Sequence, residues 1–492
     1  MKYFIGIDIG TSGTKAILFD EQGKTLNKQL GRYKIFYPAE SMAEQNPDDY
    51  YFATLQTIKK IVSQSEINPS DVLAIGLGGQ MHGLILLDKE DKVLRPAIIW
   101  CDNRTSKEAE QLKTVFGDKL ATITGTIANP AFTLAKLLWV KNNEPQTFAK
   151  ISKVLLPKDY VRYMLTGVFQ SDYSDMSGTQ MMDIITYDYD KGILDFLGLT
   201  KDNFPVIGSS FKISGPIRQN LLHQLGLTNK TLVVGGAGDQ AASAFGNATF
   251  TDETINISLG SSGVVFAPSS LKVDKSGAIQ TFAYYDKNQY HLMGVTQGCG
   301  ISLNWLRKTF YATNSTYTKL EEEVLTVQLN KKLPLFLPYI QGERTPILNP
   351  NARGVIFGLT NETQRPEIAY AVLEGIAFSF RHSLDALKKL GVNSKTIRVC
   401  GGAVKNRVFL QIIADVLQKE LIVPDHEETG CLGVAIMAAI GVGHFATISQ
   451  AFKQMSNPKT TIVSPNTTTI ELYNYRFGRY LTLYDSLLDM FD

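Results

Sequence analysis

A short phrase near the start of the chain occurs twice. Ile5-x-Ile7-x-Ile9-Gly10-Thr11-Ser12-Gly13 is matched 250 residues downstream by Ile255-x-Ile257-x-Leu259-Gly260-Ser261-Ser262-Gly263, position for position. Each copy alternates aliphatic residues, stops at glycine and continues with two hydroxyl residues, the pattern of a strand entering a tight turn. An internal repeat limits the architecture more than any single element, because two similar halves must then share one chain. The halves should meet near residues 245–254. A length of 492 residues alone allows two or three domains. The repeat selects two large ones, at 1–247 and 248–446, with 447–492 as a helical appendage bearing an aromatic stripe at Tyr473, Phe477, Tyr480 and Tyr484. The copies are not equivalent, since Asp8 in the first corresponds to Ser258 in the second.

Between the copies the chain reads as α/β. Val72–Leu77, Thr231–Val234 and Ile397–Cys400 look like buried strands that end in glycine, and Phe409, Ile412, Ile413, Val416 and Leu417 follow helical spacing. Cys431–Gly443 is apolar but short of the ~20 residues a membrane span needs, so it predicts a buried small-residue helix. Asp8 interrupts the apolar N-terminus, which excludes a secretory signal there. A net charge of +2 lacks the basic surplus of a nucleic-acid binder. The four cysteines form no CxxC pair, and the six histidines form no close pair, so neither a redox dithiol nor a histidine metal site is expected. These readings describe a cytoplasmic enzyme of small molecules, without nucleic-acid or membrane partners.

Several strand ends carry polar residues suited to chemistry. The two glycine-hydroxyl turns, Thr11–Ser12 and Ser261–Ser262, allow backbone N–H groups to approach phosphate. Lys15 follows the first turn and can neutralise a terminal phosphate, while Asp8 can hold Mg²⁺ through water. No GxxxxGK[ST] occurs, which excludes a P-loop. Gly401–Asn406 is a third glycine turn, either a plain strand–helix junction or a place for a nucleoside with Asn406 as a hydrogen-bonding group. Asp239, after Gly235-Gly-Ala-Gly238, is either a helix N-cap or a general base at a strand's C-terminal end. Met81-His82, between glycines, faces a ligand or fills the core, and Trp100-Cys-Asp102-Asn-Arg104 closes another strand with a polar cluster.

Taken in order, Asp8-Ile-Gly-Thr-Ser-Gly-Thr-Lys15, Gly79-Gln-Met-His-Gly83, Gly238-Asp239-Gln240, Leu259-Gly-Ser-Ser-Gly263 and Cys400-Gly-Gly-Ala-Val-Lys-Asn406 resemble the FGGY carbohydrate kinases. Gln80-Met-His-Gly83, Leu155-Leu-Pro-Lys-Asp-Tyr160 and Leu337–Pro346 resemble the branch acting on D-xylulose, and the likeness runs from about residue 3 to about residue 445. Ala131 stands where the family signature usually carries Gly, Ser, Met or an aromatic residue. The resemblance implies two ribonuclease-H-like domains of the actin and Hsp70 kind with a cleft between them. It implies Asp239 as catalytic base, Asp8 as support for Mg²⁺ and activity, and Met81, His82 and Asp239 as sugar contacts, with Asp102 and Arg104 as further ones. Thr11, Ser12, Lys15, Ser261 and Ser262 would face the phosphates of ATP, with Gly402, Ala403 and Asn406 near the adenosine. The implied reaction is ATP-dependent phosphorylation of D-xylulose at its 5-hydroxyl in pentose catabolism, by an enzyme that could be a homodimer. The competing readings are a kinase of gluconate, ribulose or another polyol, and, from a different class, an actin- or Hsp70-like ATPase with no sugar. Glycerol fits less well, because that branch carries an Arg-Glu pair where Met81-His82 stand.

Overall fold

Both copies of the repeated phrase form a central hairpin of a sheet in the computed structural model, which describes residues 1–311, 317–425, 428–456 and 460–491. In the first half, β1 (Tyr3–Ile9) pairs antiparallel with β2 (Gly13–Asp20), and β2 with β3 (Thr25–Arg32). On its other side β1 runs parallel to β4 (Val72–Gly79). The edge strand β5 (Ile213–Pro216) and β6 (Leu232–Gly238) complete a six-stranded sheet in the order β5-β6-β4-β1-β2-β3. β4 and β6 lie inside the sheet with nearly every residue buried, so they read as apolar and glycine runs without alternation.

The second half repeats this plan. β7 (Thr254–Leu259) pairs antiparallel with β8 (Gly263–Ser269), while β9 (Gln280–Ala283) and β10 (Tyr290–Thr296) extend that side. β7 runs parallel to β11 (Thr396–Cys400), followed by β12 (Leu421–Pro424) and β13 (Thr460–Val463). The hairpins differ by one residue. Ile9 faces Thr14 and Asp8 faces Lys15, whereas Leu259 faces Gly263 and Ser258 faces Val264. The second turn is tighter, and the acid–amine rung of the first has no counterpart.

Two helices tie the halves together. α1 (Asp239–Gly246) leaves the end of β6, and α2 (Thr429–Gly441) is the small-residue helix expected near Cys431. α2 follows the second sheet in the chain, yet it lies on the first. A Cβ on Gly6 would stand 1.9 Å from the Cys431 carbonyl oxygen, and one on Gly76 would stand 1.9 Å from that of Val434. Only glycine lets the helix backbone rest on the strands this closely. One core therefore joins Phe4, Phe19 and Ala74 of the sheet with Phe245 of α1 and Leu432 and Ile436 of α2. The final residues serve both halves. Phe452 and Met455 enter that same core, while α3 (Ile470–Ser486) places Tyr473, Phe477 and Tyr480 in the core of the second half. Among the described residues no helix is long and apolar enough to cross a membrane.

Candidate active site

The C-terminal ends of β1, β4 and β6 are adjacent rungs of one sheet, with Ile9 beside Gly79 and Gly79 beside Gly238. The turn at Thr11–Ser12, the Met81-His82 loop and Asp239 therefore leave the sheet side by side, where open α/β sheets place their ligands. A cavity opens there between the halves, walled by Met81, His82, Trp100 and Asp239 from the first and by Ser262 and Arg344 from the second. A larger cavity of about 720 Å³ lies beyond, lined by Gly260, Ser261, Tyr317, Gly402, Ala403 and Asn406. One hydroxyl turn thus borders both, with Ser262 on one side and Ser261 on the other.

Asp239 opens α1 and accepts the Gln240 backbone N–H at 2.8 Å. Burial, and then repulsion from Asp8, push its carboxyl up to about 7. Asp8 is itself raised by burial, with Lys15 opposing. Its Oδ1 is buried and has no hydrogen-bond partner, an orphaned carboxylate oxygen suited to a cation or its water.

His82 has a left-handed backbone, with φ of 64°, a conformation costing about 1–3 kcal/mol outside glycine. Lys136 holds it in place, donating to the His82 carbonyl at 2.7 Å and to that of Ala131 at 2.5 Å. Burial lowers Lys136 to about 7. The His82 ring lies at 4.6 Å from that of Phe132, and its Nδ1 is 2.7 Å from the Gly178 carbonyl oxygen. A carbonyl only accepts, so Nδ1 carries the proton and Nε2 is left as an acceptor. Burial depresses this histidine to about 3, which keeps it neutral.

Two expectations need correction. Asp102 and Arg104 do not line the cavity. Asp102 accepts from the Arg104 guanidinium at 2.7–3.0 Å and from the Ala43 N–H at 2.5 Å, while Arg104 also pairs with Glu44 at 2.8 Å and covers the Trp139 ring. Their bonds are spent on tying the Ala43–Glu44 segment to the strand end that presents Trp100, whose indole N–H donates to Thr11 Oγ1 at 2.9 Å. Lys15 is not free for phosphate either, since its ammonium is paired with Glu428, which also takes Lys28. The N–H groups of Thr11, Ser12, Ser261 and Ser262 have no backbone acceptor among the described residues. Gly402 and Ala403 line the larger cavity. Asn406 caps the helix Arg407–Leu417 through Oδ1, at 2.7 Å from the Phe409 N–H, and its buried Nδ2 has no partner.

Lys136 and Arg344 escaped the sequence reading, although a lysine inside the apolar run Leu134–Val140 was a usable signal. A buried charge cluster behind the cavity also escaped it. Lys158 lies 2.6 Å from Asp159, 2.6 Å from Asp172 and 3.3 Å from Asp175, with Arg162 also on Asp159, all fully buried. The three carboxylates have the spacing of a metal site, but the ammonium stands among them. Asp172 accepts the Ser174 hydroxyl at 2.6 Å, and Ser174 accepts the Gly238 N–H at 3.0 Å. The cluster therefore reaches the residue preceding Asp239.

A duplicated two-lobed fold with an ionisable carboxylate on the wall of a small cavity, which shares a hydroxyl turn with a nucleotide-sized one, defines a phosphotransferase acting on a small hydroxyl compound. Models of the FGGY family of carbohydrate kinases match both halves, its N-terminal domain over residues 3–246 and its C-terminal domain over residues 255–442. The chain belongs to this family, whose halves have the ribonuclease-H-like fold of actin and Hsp70, and is an ATP-dependent carbohydrate kinase. It is 34% identical to the xylulose kinase of Bacillus subtilis over 491 residues, covering 100% of this chain and 98% of that one. The crystal structure of ligand-bound xylulose kinase from Lactobacillus acidophilus superimposes with a TM-score of 0.94 at 28% identity, covering 100% of this chain and 99% of that one. A gluconokinase from Bacillus subtilis is 32% identical over 454 residues, covering 90% of this chain and 88% of that one.

Proposed function

We propose that the chain transfers the γ-phosphoryl group of ATP to the 5-hydroxyl of D-xylulose, in the cytoplasm. The full-length similarity to xylulose kinases supports the substrate. The observation that carries the chemistry is the position of Asp239, at the wall of the smaller cavity and across the Ser261–Ser262 turn from the larger one. In the reaction a bond forms between the sugar O5 and the γ-phosphorus, the bond from that phosphorus to the β-phosphate oxygen breaks, and the hydroxyl proton passes to Asp239. Phosphoryl transfer depends chiefly on alignment and charge stabilisation. Asp239 accordingly aligns the hydroxyl and takes its proton as O5 loses electron density. The unbonded N–H groups of the two hydroxyl turns receive phosphate oxygens. Asp8, with its orphaned oxygen, would hold Mg²⁺, which when bound neutralises phosphate charge.

ADP release measured across ketoses, polyols, aldoses and sugar acids tests this reading. D-Xylulose should give the highest kcat/KM, with one phosphosugar formed per ADP. ADP release that needs no sugar, or that D-gluconate supports and D-xylulose does not, would refute it. The base must be ionised to work, and its folded pKa is raised, so activity is present above that value and lost below it. kcat/KM for the sugar should thus fall as pH drops through about 7, with a limiting slope of one proton. In the nucleotide cavity, Asn406→Ser keeps a side-chain cap but removes the free Nδ2 donor. It should raise the KM for ATP about 2- to 10-fold, while leaving the KM for sugar and the thermal midpoint in place.

A further inference from the structure

Arg344 is the one residue of the sugar cavity that brings a full positive charge to its wall, and it makes no hydrogen bond or ion pair through its side chain among the described residues. Its backbone is held on both sides. Glu343 accepts from Thr296 Oγ1 at 2.7 Å, the Gln297 N–H at 2.9 Å and the Arg344 N–H at 2.7 Å. Thr345 exchanges two hydrogen bonds with Val295 at the end of β10, at 2.9 and 3.0 Å. The guanidinium is thus presented by a rigid loop of the second half, buried enough to lower its own pKa and near enough to depress those of His82 and Lys136. The guanidinium is partly buried and without a protein partner, which favours a ligand that supplies one.

The other polar groups of the wall leave a particular need. Asp239 accepts, His82 accepts through Nε2, and the Trp100 donor is spent on Thr11, while Gln240, Gln280 and Ser262 bring neutral groups that both donate and accept, so Arg344 is the one cationic donor. Sugar hydroxyls satisfy such acceptors, but an oxygen that only accepts has to find a donor. D-Xylulose acquires such an oxygen through its own chemistry. Its only ring form is a furanose closed from C2 through O5, so a molecule with O5 free to attack phosphorus is the open chain with an exposed C2 carbonyl.

We propose that Arg344 is a specificity-determining residue that receives the C2 carbonyl oxygen of the open-chain 2-ketose, and so distinguishes the ketose from the corresponding pentitols. This deepens the D-xylulose reading and rests on it. The test compares D-xylulose as substrate with xylitol and D-arabinitol, its two C2-reduced forms, as competitive inhibitors. Arg344→Met should raise the KM for D-xylulose about 10- to 100-fold, with the Ki of both pentitols and the KM for ATP moved less than about threefold. Arg344→Lys, which keeps the charge without the fork, should recover part of the loss. The guanidinium bonds to no protein group, so the variants should unfold at the parent temperature. If the pentitol Ki values rise in step with the ketose KM, or the KM for ATP rises instead, the assignment is overturned while the D-xylulose reading stands. If the parent enzyme phosphorylates another sugar and not D-xylulose, that reading falls and takes this assignment with it.

Discussion

Asp239→Asn should lower the rate of sugar phosphorylation by about 100- to 10,000-fold, while nucleotide affinity stays within about twofold of the parent. The amide keeps the shape of the carboxylate and can still accept the Gln240 N–H, but it cannot take a proton from the attacking hydroxyl. It also removes the negative charge that aligns that hydroxyl towards the phosphorus. Asp239 faces the sugar cavity and is absent from the wall of the nucleotide cavity, so the two readouts should separate. Coupled ADP release gives the first and nucleotide titration the second. A variant retaining a tenth or more of the parental rate would remove Asp239 from the chemistry.

The second large effect is on stability. Lys158→Met should destabilise the first half by about 3–5 kcal/mol, because it leaves buried carboxylates without their cation. For a domain of this size that corresponds to a fall of about 6–20 °C in the thermal midpoint. Asp175→Asn, in the same cluster, should change it by no more than a few degrees. Burial raises the Asp175 carboxyl well above its ordinary range, with Lys158 opposing, so its charged form is disfavoured there and a neutral amide of the same shape replaces it with little loss. Equal losses in the two variants would mean that the cluster is held by shape and not by the balance of three carboxyls against two cations. Thermal unfolding followed at a first-half probe such as Trp100 would decide between these outcomes.

The duplicated hairpin was legible because alternation, glycine and hydroxyl residues are local signals, and the sheets preserve both copies as central strands. The direction in which α2 packs was not. A helix apolar on every side has no face to read, and the strands β1 and β4 on which it rests most closely lie about 350 residues or more earlier in the chain. Site residues divide along the same line. Asp8, Met81, His82 and Asp239 stand at strand ends, where position in the sheet already gathers ligand-facing groups. Asp102 and Arg104 stand at such an end as well, but a polar cluster reads alike whether it serves a ligand or a neighbouring backbone. Lys15 looked free because its partner, Glu428, is 413 residues away. Arg344 lies in an irregular loop whose place is set by contacts with β10, and no periodicity announces it.

The crossing of α2 onto the first sheet also bears on how the protein is made. β1 to β6 and α1 are complete by Gly246, yet the core they share with α2 cannot close until Gly441 has been synthesised. At ~5–20 residues per second, the intervening stretch takes about 10–40 s to translate. During that interval the nascent first half carries an open apolar face along Phe4, Phe19 and Ala74. A ribosome stalled between the two repeats would hold a sheet with no lid over that face.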